Sequence, residues 1–375
     1  MHLSKQLLIL SLGLIFLTSC AVKNTTTHSQ QGNNKWYVLA DSLQEKLNSV
    51  FLSKDGKYYA QDNAGNQKFH YWHNAHVLDV LVDGYERTKD ARYVQKMRNL
   101  LQGMYATNNN SFINDYYDDM AWLGLSSIRA YQNTKDIAYL NAAKTLWQDM
   151  LTGINNNDGR SLSWSKPTPE FKNTPANGPA IMMGLRLYKI TNDKAYRDTA
   201  EMFYNWLVPT LIQPETGLSW DGIKNGELVK PIYTYNQGLF IGASVEMFKL
   251  TGNRQYIAHA LQTAKSSISS ELVSPSGILK PEGQGDGGLF KGIFIRYFVE
   301  LIKLKEVSKE DKAWLVDYIV KNAETLYSSG VDHHSLLINY NWNKQPAGTI
   351  DLSTQLSGMM LIEAMAELHQ MAIIK

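Results

Sequence analysis

One phrase recurs along this chain and constrains its fold more than any other feature. It appears as Thr88-Lys-Asp-Ala-Arg-Tyr93, Thr134-Lys-Asp-Ile-Ala-Tyr139, Thr191-Asn-Asp-Lys-Ala-Tyr196 and Thr251-Gly-Asn-Arg-Gln-Tyr256. The Asp or Asn in each copy is a preferred N-cap residue, which predicts that a new helix begins there with the Tyr on its first turn. The copies lie 46 to 60 residues apart, a spacing typical of repeated helical hairpins.

A second kind of helix, rich in Gly, Ala and apolar residues, alternates with the helices that the phrase begins. Six segments have this character: Trp72–Glu86, Asp118–Tyr131, Asn177–Lys189, Asn236–Lys249, Gly287–Ile302 and Ser353–Leu368. Helices with so little polar surface are buried on most sides. The sequence therefore predicts an all-α fold, an (α/α)6 barrel of six inner and six outer helices. An open solenoid of six hairpins is the alternative, but the irregular spacing and long polar inserts favour the barrel.

The polar inserts all precede inner helices and so gather at one end of the barrel. Two of them, 155–176 and 213–235, contain the strand-like pieces Leu162-Ser-Trp164 and Leu218-Ser-Trp220 next to Asp-Gly turns. Loops that gather on one face of a scaffold usually build a binding or catalytic site. No change in composition marks a second domain, so residues 35–375 are predicted to form one domain.

Two adjacent carboxylates, Asp118 and Asp119, stand at the start of the second inner helix behind Tyr116 and Tyr117. One Asp at this position is explained by capping and by the helix dipole. Two in a row, next to aromatic rings, also suit glycoside hydrolysis with retention, which needs two carboxyl groups about 5–5.5 Å apart. Neighbouring carboxyls raise each other's pKa, so that one can hold a proton while the other is ionised. Capping and catalysis both remain open on spacing alone.

The other inner helices also open with polar or aromatic residues, where they would meet the same end of the barrel. Capping explains any one of these residues, but six such openings around one rim suit a polysaccharide cleft, because amides, carboxylates and aromatic faces are the groups that hold sugars. The candidate substrate-binding residues are Trp72, His76, Tyr117, Asn177, Asp221, Tyr235, Asn236, Gln237, Asp286 and Lys291.

Several other functions find no support in the sequence. The formal net charge is +2 and no basic block occurs, so a nucleic-acid partner is not expected. The nine His residues show no metal-ligand spacing, and His73/His76 and His333/His334 are weak signals. The glycines of Gly283–Gly288 lie in an all-α context rather than in a phosphate-binding loop. We therefore predict no metal, no cofactor and a monomeric enzyme.

The first twenty residues are predicted to direct export. Lys5 precedes the apolar run Leu7–Leu17, which is too short to span a bilayer. The run ends in Leu17-Thr18-Ser19-Cys20, which resembles a bacterial lipoprotein signal, and Cys20 is the single cysteine of the chain. Residues 1–19 are thus predicted to be a signal peptide, Cys20 the lipidated residue, and 20–34 a flexible tether. An ordinary secretory signal is the alternative.

Four blocks of this sequence resemble glycoside hydrolase family 76, the endo-α-1,6-mannanases, over about residues 34–368. They are Tyr116-Tyr-Asp-Asp-Met-Ala-Trp122, Leu218-Ser-Trp-Asp-Gly222, Tyr235-Asn-Gln-Gly238 with Ile241-Gly-Ala243, and Phe290-Lys-Gly-Ile-Phe-Ile-Arg-Tyr297. The resemblance implies retaining hydrolysis within α-1,6-linked mannan, with Asp118 as nucleophile and Asp119 as acid/base. Other enzymes with this barrel (an unsaturated-uronyl hydrolase, an epimerase or a transglycosylase) and a non-catalytic glycan-binding lipoprotein are the alternatives.

Overall fold

The computed structural model describes residues 34–375, and the predicted signal peptide, Cys20 and nearly all of the tether lie outside this range. Twelve α-helices account for most of the described chain. They are α1 (Lys35–Phe51), α2 (Tyr71–Thr88), α3 (Ala91–Thr107), α4 (Tyr117–Thr134), α5 (Ile137–Met150), α6 (Thr174–Thr191), α7 (Lys194–Leu211), α8 (Thr234–Thr251), α9 (Arg254–Ser269), α10 (Gly287–Lys303), α11 (Lys309–Thr325) and α12 (Leu352–Gln370). Within residues 34–375, no helix is both long enough and apolar enough to cross a bilayer.

The even-numbered helices form a closed inner ring. Each packs against the next even-numbered helix, and α12 packs back against α2. The odd-numbered helices lie outside this ring, each against an inner neighbour. Closure of the ring between α12 and α2 confirms the (α/α)6 barrel and rules out an open solenoid.

Small residues bring the inner helices close together. A Cβ atom added to Gly238 of α8 would lie 2.5 Å from the Cα of Phe294 in α10, and one added to Gly292 of α10 would lie 2.7 Å from the Cα of Ser357 in α12. Real Cβ atoms do not approach other atoms so closely, so only glycine fits at these two crossings. This explains why the inner helices are rich in glycine.

The recurring phrase forms the same helix–turn–helix corner four times. In the first copy, the Thr88 hydroxyl donates to the carbonyl of Gly84, and Lys89 adopts a left-handed conformation that ends α2. The Asp90 side chain then caps α3 by accepting from the backbone N–H of Arg92 at 2.8 Å. The same bonds recur at Thr134/Asp136, Thr191/Asp193 and Thr251/Asn253. The predicted caps are therefore confirmed.

Five short strands lie in the inserts at the N-terminal end of the inner helices. The first pair, β1 (Ile154–Asn155) and β2 (Ser161–Leu162), is antiparallel. The others, β3 (Phe171–Asn173), β4 (Gly222–Lys224) and β5 (Glu227–Val229), form one antiparallel sheet in the order β3-β4-β5. This sheet joins the insert before α6 to the insert before α8, so the two inserts hold one another in place.

The C-terminal end of the inner ring is closed by charged side chains, which we call the far-end ion network. A cavity of about 500 Å³ opens among them. The pairs link inner helices: Arg129 with Asp79, Asp83 and Glu86; Arg296 with Asp79 and Asp83; Arg87 with Glu363; Arg186 with Glu246; Lys249 with Glu300; and Lys303 with Glu367. The network ties the six inner helices together at the end opposite the inserts.

Candidate active site

Asp118 and Asp119 lie on the first turn of α4, facing the end of the barrel that carries the inserts. Both side chains are partly exposed. The Asp118 carboxylate accepts from the backbone N–H of Asp119 at 3.0 Å and from the indole Nε1 of Trp164 at 3.1 Å. Trp164 belongs to the insert between α5 and α6, so a loop and the helix N-terminus hold this carboxylate together.

The Asp119 carboxylate is held differently. Its Oδ2 accepts from the side-chain amide of Asn114 at 3.2 Å, while Oδ1 of Asn114 accepts from the backbone N–H of Tyr116 at 2.9 Å. The second bond fixes which end of the Asn114 amide faces Asp119. Within residues 34–375, Asp118 thus accepts two hydrogen bonds and Asp119 one.

Both carboxyl groups have raised pKa values, but to different extents. Burial raises the pKa of Asp118 to about 7, while the bonds from Trp164 and from the Asp119 N–H oppose that rise. Burial, followed by the charges of Asp118 and Asp286, holds the pKa of Asp119 well above the usual range. Two neighbouring carboxyl groups with raised pKa values allow one to be ionised while the other keeps its proton, and Asp118 has the larger number of hydrogen-bond donors for a negative charge.

Two further carboxylates face this pair from other inserts. Asp221 lies just before β4, and its Oδ1 accepts from the Asn236 amide of α8 at 3.1 Å. Burial raises the pKa of Asp221. Asp286, at the start of α10, is exposed and accepts from the Trp72 indole at 3.1 Å. Three of the inserts and the first turns of α2, α4, α8 and α10 thus contribute to one cleft.

Aromatic rings lie on both sides of the carboxylates. Tyr235 and Phe290 stack with their ring centroids 3.9 Å apart, and Tyr233 contacts Phe290 edge-on. Around Asp118, the rings of Tyr116 and Trp164 lie 5.0 Å apart. Flat aromatic faces beside carboxylates and amides match the chemistry of a sugar ring, which has apolar C–H faces and polar edges.

Nine of the ten predicted substrate-binding residues fall into two groups, and His76 belongs to neither. Trp72, Asp221, Tyr235, Asn236 and Asp286 lie at the cleft or bond to residues that do. The others are buried behind it and are engaged by the protein itself: Tyr117, Asn177, Gln237 and Lys291.

These four buried residues support the inserts. The Tyr117 hydroxyl bonds to Thr152, and the Asn177 amide bonds to the backbone of Leu162 and to Ser161. Gln237 bonds to both backbone groups of Ser219. Lys291 donates to the carbonyl of Tyr340, and its Nζ lies 4.2 Å from the centre of the Trp342 ring. Each therefore fixes a loop that shapes the cleft.

His76 lies one turn below the rim of the cleft. It is 4% exposed, and its ring packs between Trp72 and Trp122. Burial lowers the pKa of His76 to about 3, so the imidazole is neutral at ordinary pH. Its position supports the Trp72 ring.

Trp164, Asn114 and Phe290 also lie at the site, although none of them was among the residues predicted from the sequence. Trp164 stood in a strand-like piece of an insert, and Phe290 stood in a block that resembles the family. A signal was therefore present for these two. Asn114 gave none, because an Asn before a helix has the appearance of an ordinary turn residue.

The site contains carboxylates and amides but no arrangement of metal ligands. In the part of the chain that the structure describes, no group of three or more His, Cys, Asp or Glu side chains is placed to hold a metal ion. Paired carboxyl groups can carry out proton transfer and nucleophilic attack.

Solved structures share this barrel, and a curated protein is similar in sequence. The α-1,6-mannanase of Salegentibacter sp. HEL1_6 is 42% identical, covering 89% of this chain and 99% of that one, with a TM-score of 0.86. An inactive variant of that enzyme, in which two consecutive aspartates are replaced by asparagine, was solved in complex with α-1,6-mannotriose and gives a TM-score of 0.87. A mannan endo-1,6-alpha-mannosidase of Candida glabrata is 24% identical over 322 residues, covering 76% of this chain and 71% of that protein.

The family model for glycosyl hydrolase family 76 matches residues 36–373, which is nearly the whole described chain. This match and the 42% identity to a family 76 mannanase confirm the resemblance found in the sequence. They also decide against an epimerase and an unsaturated-uronyl hydrolase. This chain belongs to glycosyl hydrolase family 76 and is a glycoside hydrolase.

Proposed function

We propose that this protein is a retaining, endo-acting α-1,6-mannanase in which Asp118 and Asp119 are the catalytic residues. The observation that carries the proposal is the pair of unequally held carboxyl groups at the first turn of α4, in a cleft lined by aromatic rings. Asp118-Asp119 is also the only pair of consecutive aspartates in the 375-residue sequence. The pair that was replaced in the inactive Salegentibacter variant is likewise consecutive.

The geometry supports a double displacement. The Asp118 carboxylate attacks the anomeric carbon while Asp119 donates its proton to the departing glycosidic oxygen, which breaks the C–O bond and leaves a mannosyl ester on Asp118. Asp119, now ionised, takes a proton from water, and the resulting hydroxide attacks the anomeric carbon and releases Asp118. Two inversions at one carbon retain the α configuration.

Substrate contacts are proposed for the residues that line the cleft. Tyr235 and Phe290 offer a stacked aromatic surface to the sugar face. The Asp221–Asn236 pair lies beside the catalytic acids, and Oδ1 of the buried Asn236 has no hydrogen-bond partner in residues 34–375. A mannose hydroxyl could donate a hydrogen bond to this oxygen and so supply the partner that it lacks.

Digestion of linear α-1,6-mannan with product sizing tests the proposal. We expect a ladder of short manno-oligosaccharides to appear early, because an endo-acting enzyme cuts within the chain. An α-1,4-glucan serves as the control polymer and should stay intact. Longer products from mannotetraose would instead identify a transglycosylase, and binding without any cleavage would identify a glycan-binding protein.

We also propose that the mature protein is monomeric and carries a lipid on Cys20, which anchors it to a bacterial membrane at the periplasmic or outer cell surface. The support is the Leu-Thr-Ser-Cys motif and the absence of any other cysteine from the sequence. The side chain of Asn34 caps α1 by accepting from Trp36 N–H at 2.9 Å. The residues between Cys20 and Asn34 would then link the anchor to the barrel.

Cys20→Ala should release the enzyme from the membrane. Because the lipid supplies the proposed anchor, the variant is expected in the soluble fraction with wild-type mannanase activity, and metabolic labelling with a fatty acid should be lost. Fractionation with an activity assay measures both. A variant that stays membrane-bound, together with an unlabelled wild type, would contradict the proposal.

A further inference from the structure

We propose that Trp164 is a positioning residue whose indole N–H holds Asp118 as the ionised member of the pair and so fixes which aspartate attacks. This inference rests on the proposed function and extends it to a residue outside the catalytic helix. It starts from the 3.1 Å bond between Trp164 Nε1 and Asp118 Oδ2.

The backbone around Trp164 is fastened to the start of α4. The carbonyl of Trp164 accepts from Tyr117 N–H at 2.9 Å, and the N–H of Lys166 donates to the carbonyl of Asp115 at 2.8 Å. Tyr117 directly precedes Asp118, so the insert and the catalytic carboxylate share one backbone connection. A shift of the insert would therefore carry the indole and Asp118 together.

The indole ring is also fixed from its other side. The backbone N–H of Trp164 donates to the backbone carbonyl of Phe171 at 2.8 Å. The Phe171 ring contacts the indole edge-on, with the ring centroids 5.7 Å apart. Phe171 begins β3, which pairs with β4, the strand that follows Asp221. Trp164 thus has little freedom to turn away from Asp118.

The indole N–H can only donate, so it stabilises the ionised carboxylate more strongly than the protonated acid, whose carbonyl oxygen is a weaker acceptor. Asp119 lacks this donor and accepts instead from the neutral amide of Asn114. Asp118 also accepts from the backbone N–H of Asp119 within α4, so Trp164 is the donor from outside the catalytic helix that adds to the difference between the two carboxyl groups.

The charged and titratable groups around the pair act in a consistent direction. Asp221, from the insert before α8, faces Asp118 and raises its pKa, and Tyr235 of α8 lies beside both. Asp286 of the α10 start faces Asp119 and raises its pKa, and Tyr71 of α2 lies on the same side. Because both Asp118 and Asp119 have a further carboxylate beside them, a hydrogen-bond donor to Asp118 favours Asp118 as the carboxyl group that ionises first.

The pH dependence of kcat/KM for α-1,6-mannotetraose tests this role. In Trp164→Phe, loss of the donor destabilises the Asp118 anion, so the pKa of Asp118 rises and the acid limb of the profile moves to higher pH. Since the substitution removes a hydrogen bond to a charged group, we expect the acid limb to move by about one pH unit. At pH values on that limb, kcat/KM should fall roughly tenfold or more. The basic limb, which reports Asp119, should stay near its wild-type position.

Trp206→Phe is the matched control. Its indole also donates to an insert residue, the carbonyl of Asp158, at 2.7 Å, but Trp206 lies on the outer helix α7. The control should keep the wild-type pH profile. A Trp164→Phe enzyme with an unchanged profile, or with a raised KM alone, would overturn the proposal and leave Trp164 as a sugar platform.

A second measurement needs no substitution at Trp164. In the NMR spectrum of the wild type, one indole N–H resonance should shift with pH as Asp118 titrates, and that shift should vanish in Asp118→Asn. If every indole resonance behaves the same way in both proteins, Trp164 does not sense Asp118. A wild type that shows this shift but fails to cut α-1,6-mannan would disprove the proposed substrate and leave the indole–carboxylate link intact.

Discussion

Asp118→Ala is expected to be inactive on every mannoside, because no other group can form the covalent intermediate. Loss of a catalytic nucleophile removes a path that a good leaving group cannot replace. Added azide can then react only by direct attack on the α-linked substrate. The product should be β-mannosyl azide, with inverted configuration, which NMR of the anomeric proton identifies.

Asp119→Ala should behave differently. An activated aryl mannoside needs little proton assistance, so formation of the intermediate should survive while its hydrolysis becomes slow for want of a base. Azide needs no base and should restore turnover. Because it attacks the mannosyl ester on Asp118, the product should be α-mannosyl azide, with retained configuration.

The two azide products distinguish the roles without reference to absolute rates. The α product from Asp118→Ala and the β product from Asp119→Ala would reverse the assignment. Wild-type activity in both variants would reduce the two aspartates to helix caps. A variant at Asp41, an exposed carboxylate on outer helix α1, serves as the control and should keep full activity.

Asp83→Ala should lower the stability of the barrel by about 3–5 kcal/mol, the cost typical of removing one partner from a buried ion pair. Asp83 accepts from Arg129 at 2.8 Å and from both terminal nitrogens of Arg296 at 2.7 and 2.9 Å. Its loss leaves two guanidinium groups short of one carboxylate, in a part of the ring where α2, α4 and α10 meet. Urea unfolding followed by circular dichroism measures the effect.

Glu324→Ala is the control for a surface ion pair. Glu324 bonds to Lys35 at 2.6 Å, but both side chains are well exposed, so the expected cost is about 0–1 kcal/mol. Equal unfolding midpoints for the two variants would show that the far-end ion network contributes no more than a surface pair.

Acid should weaken the same network. Although burial opposes it, the charges of Arg296 and Arg129 lower the pKa of Asp79 to about 2, below its ordinary value of 3.8. A carboxyl with a lowered folded-state pKa stabilises the fold above its unfolded pKa and loses that contribution as pH falls through its folded pKa. The contribution of Asp79 to the free energy of unfolding should therefore be lost as the pH falls from about 4 to about 2.

Local sequence determined the helices and their order. Each copy of the recurring phrase combines a Thr that bonds back to the preceding turn, a residue that tolerates a left-handed backbone, and an Asp or Asn cap. The Asp or Asn cap acts within a few residues, so the pattern predicts it, whereas the Thr bond and the left-handed residue were found in the structure. Glycine and alanine in alternate helices likewise predict burial on several sides, and hence an inner ring.

Helix boundaries at the rim were predicted less well. The third inner helix begins at Thr174 rather than Asn177, because Asn173 caps it by bonding to Ala176 N–H at 3.0 Å and Pro175 fits its first turn. The fourth begins at Thr234, whose N–H donates to Glu282, 48 residues away. That partner comes from another insert, and no local pattern indicates it.

Adjacent acids at a helix start are conspicuous, so Asp118 and Asp119 could be proposed as the catalytic pair from their position together with the family resemblance. What surrounds them was decided by tertiary structure. Asn177 and Gln237 carry side-chain amides of the kind that bind sugars. In the folded protein these amides bond instead to backbone groups of the inserts, because those backbone groups would otherwise be buried without a hydrogen-bond partner. Trp164 lies 46 residues from Asp118 in the sequence. Its loop reaches Asp118 because Ser165 pairs with Tyr116 and the backbone of Trp164 bonds to Phe171 of β3. Sequence thus specified the two acids, whereas the packing of the inserts placed an indole donor on one of them and an amide donor on the other.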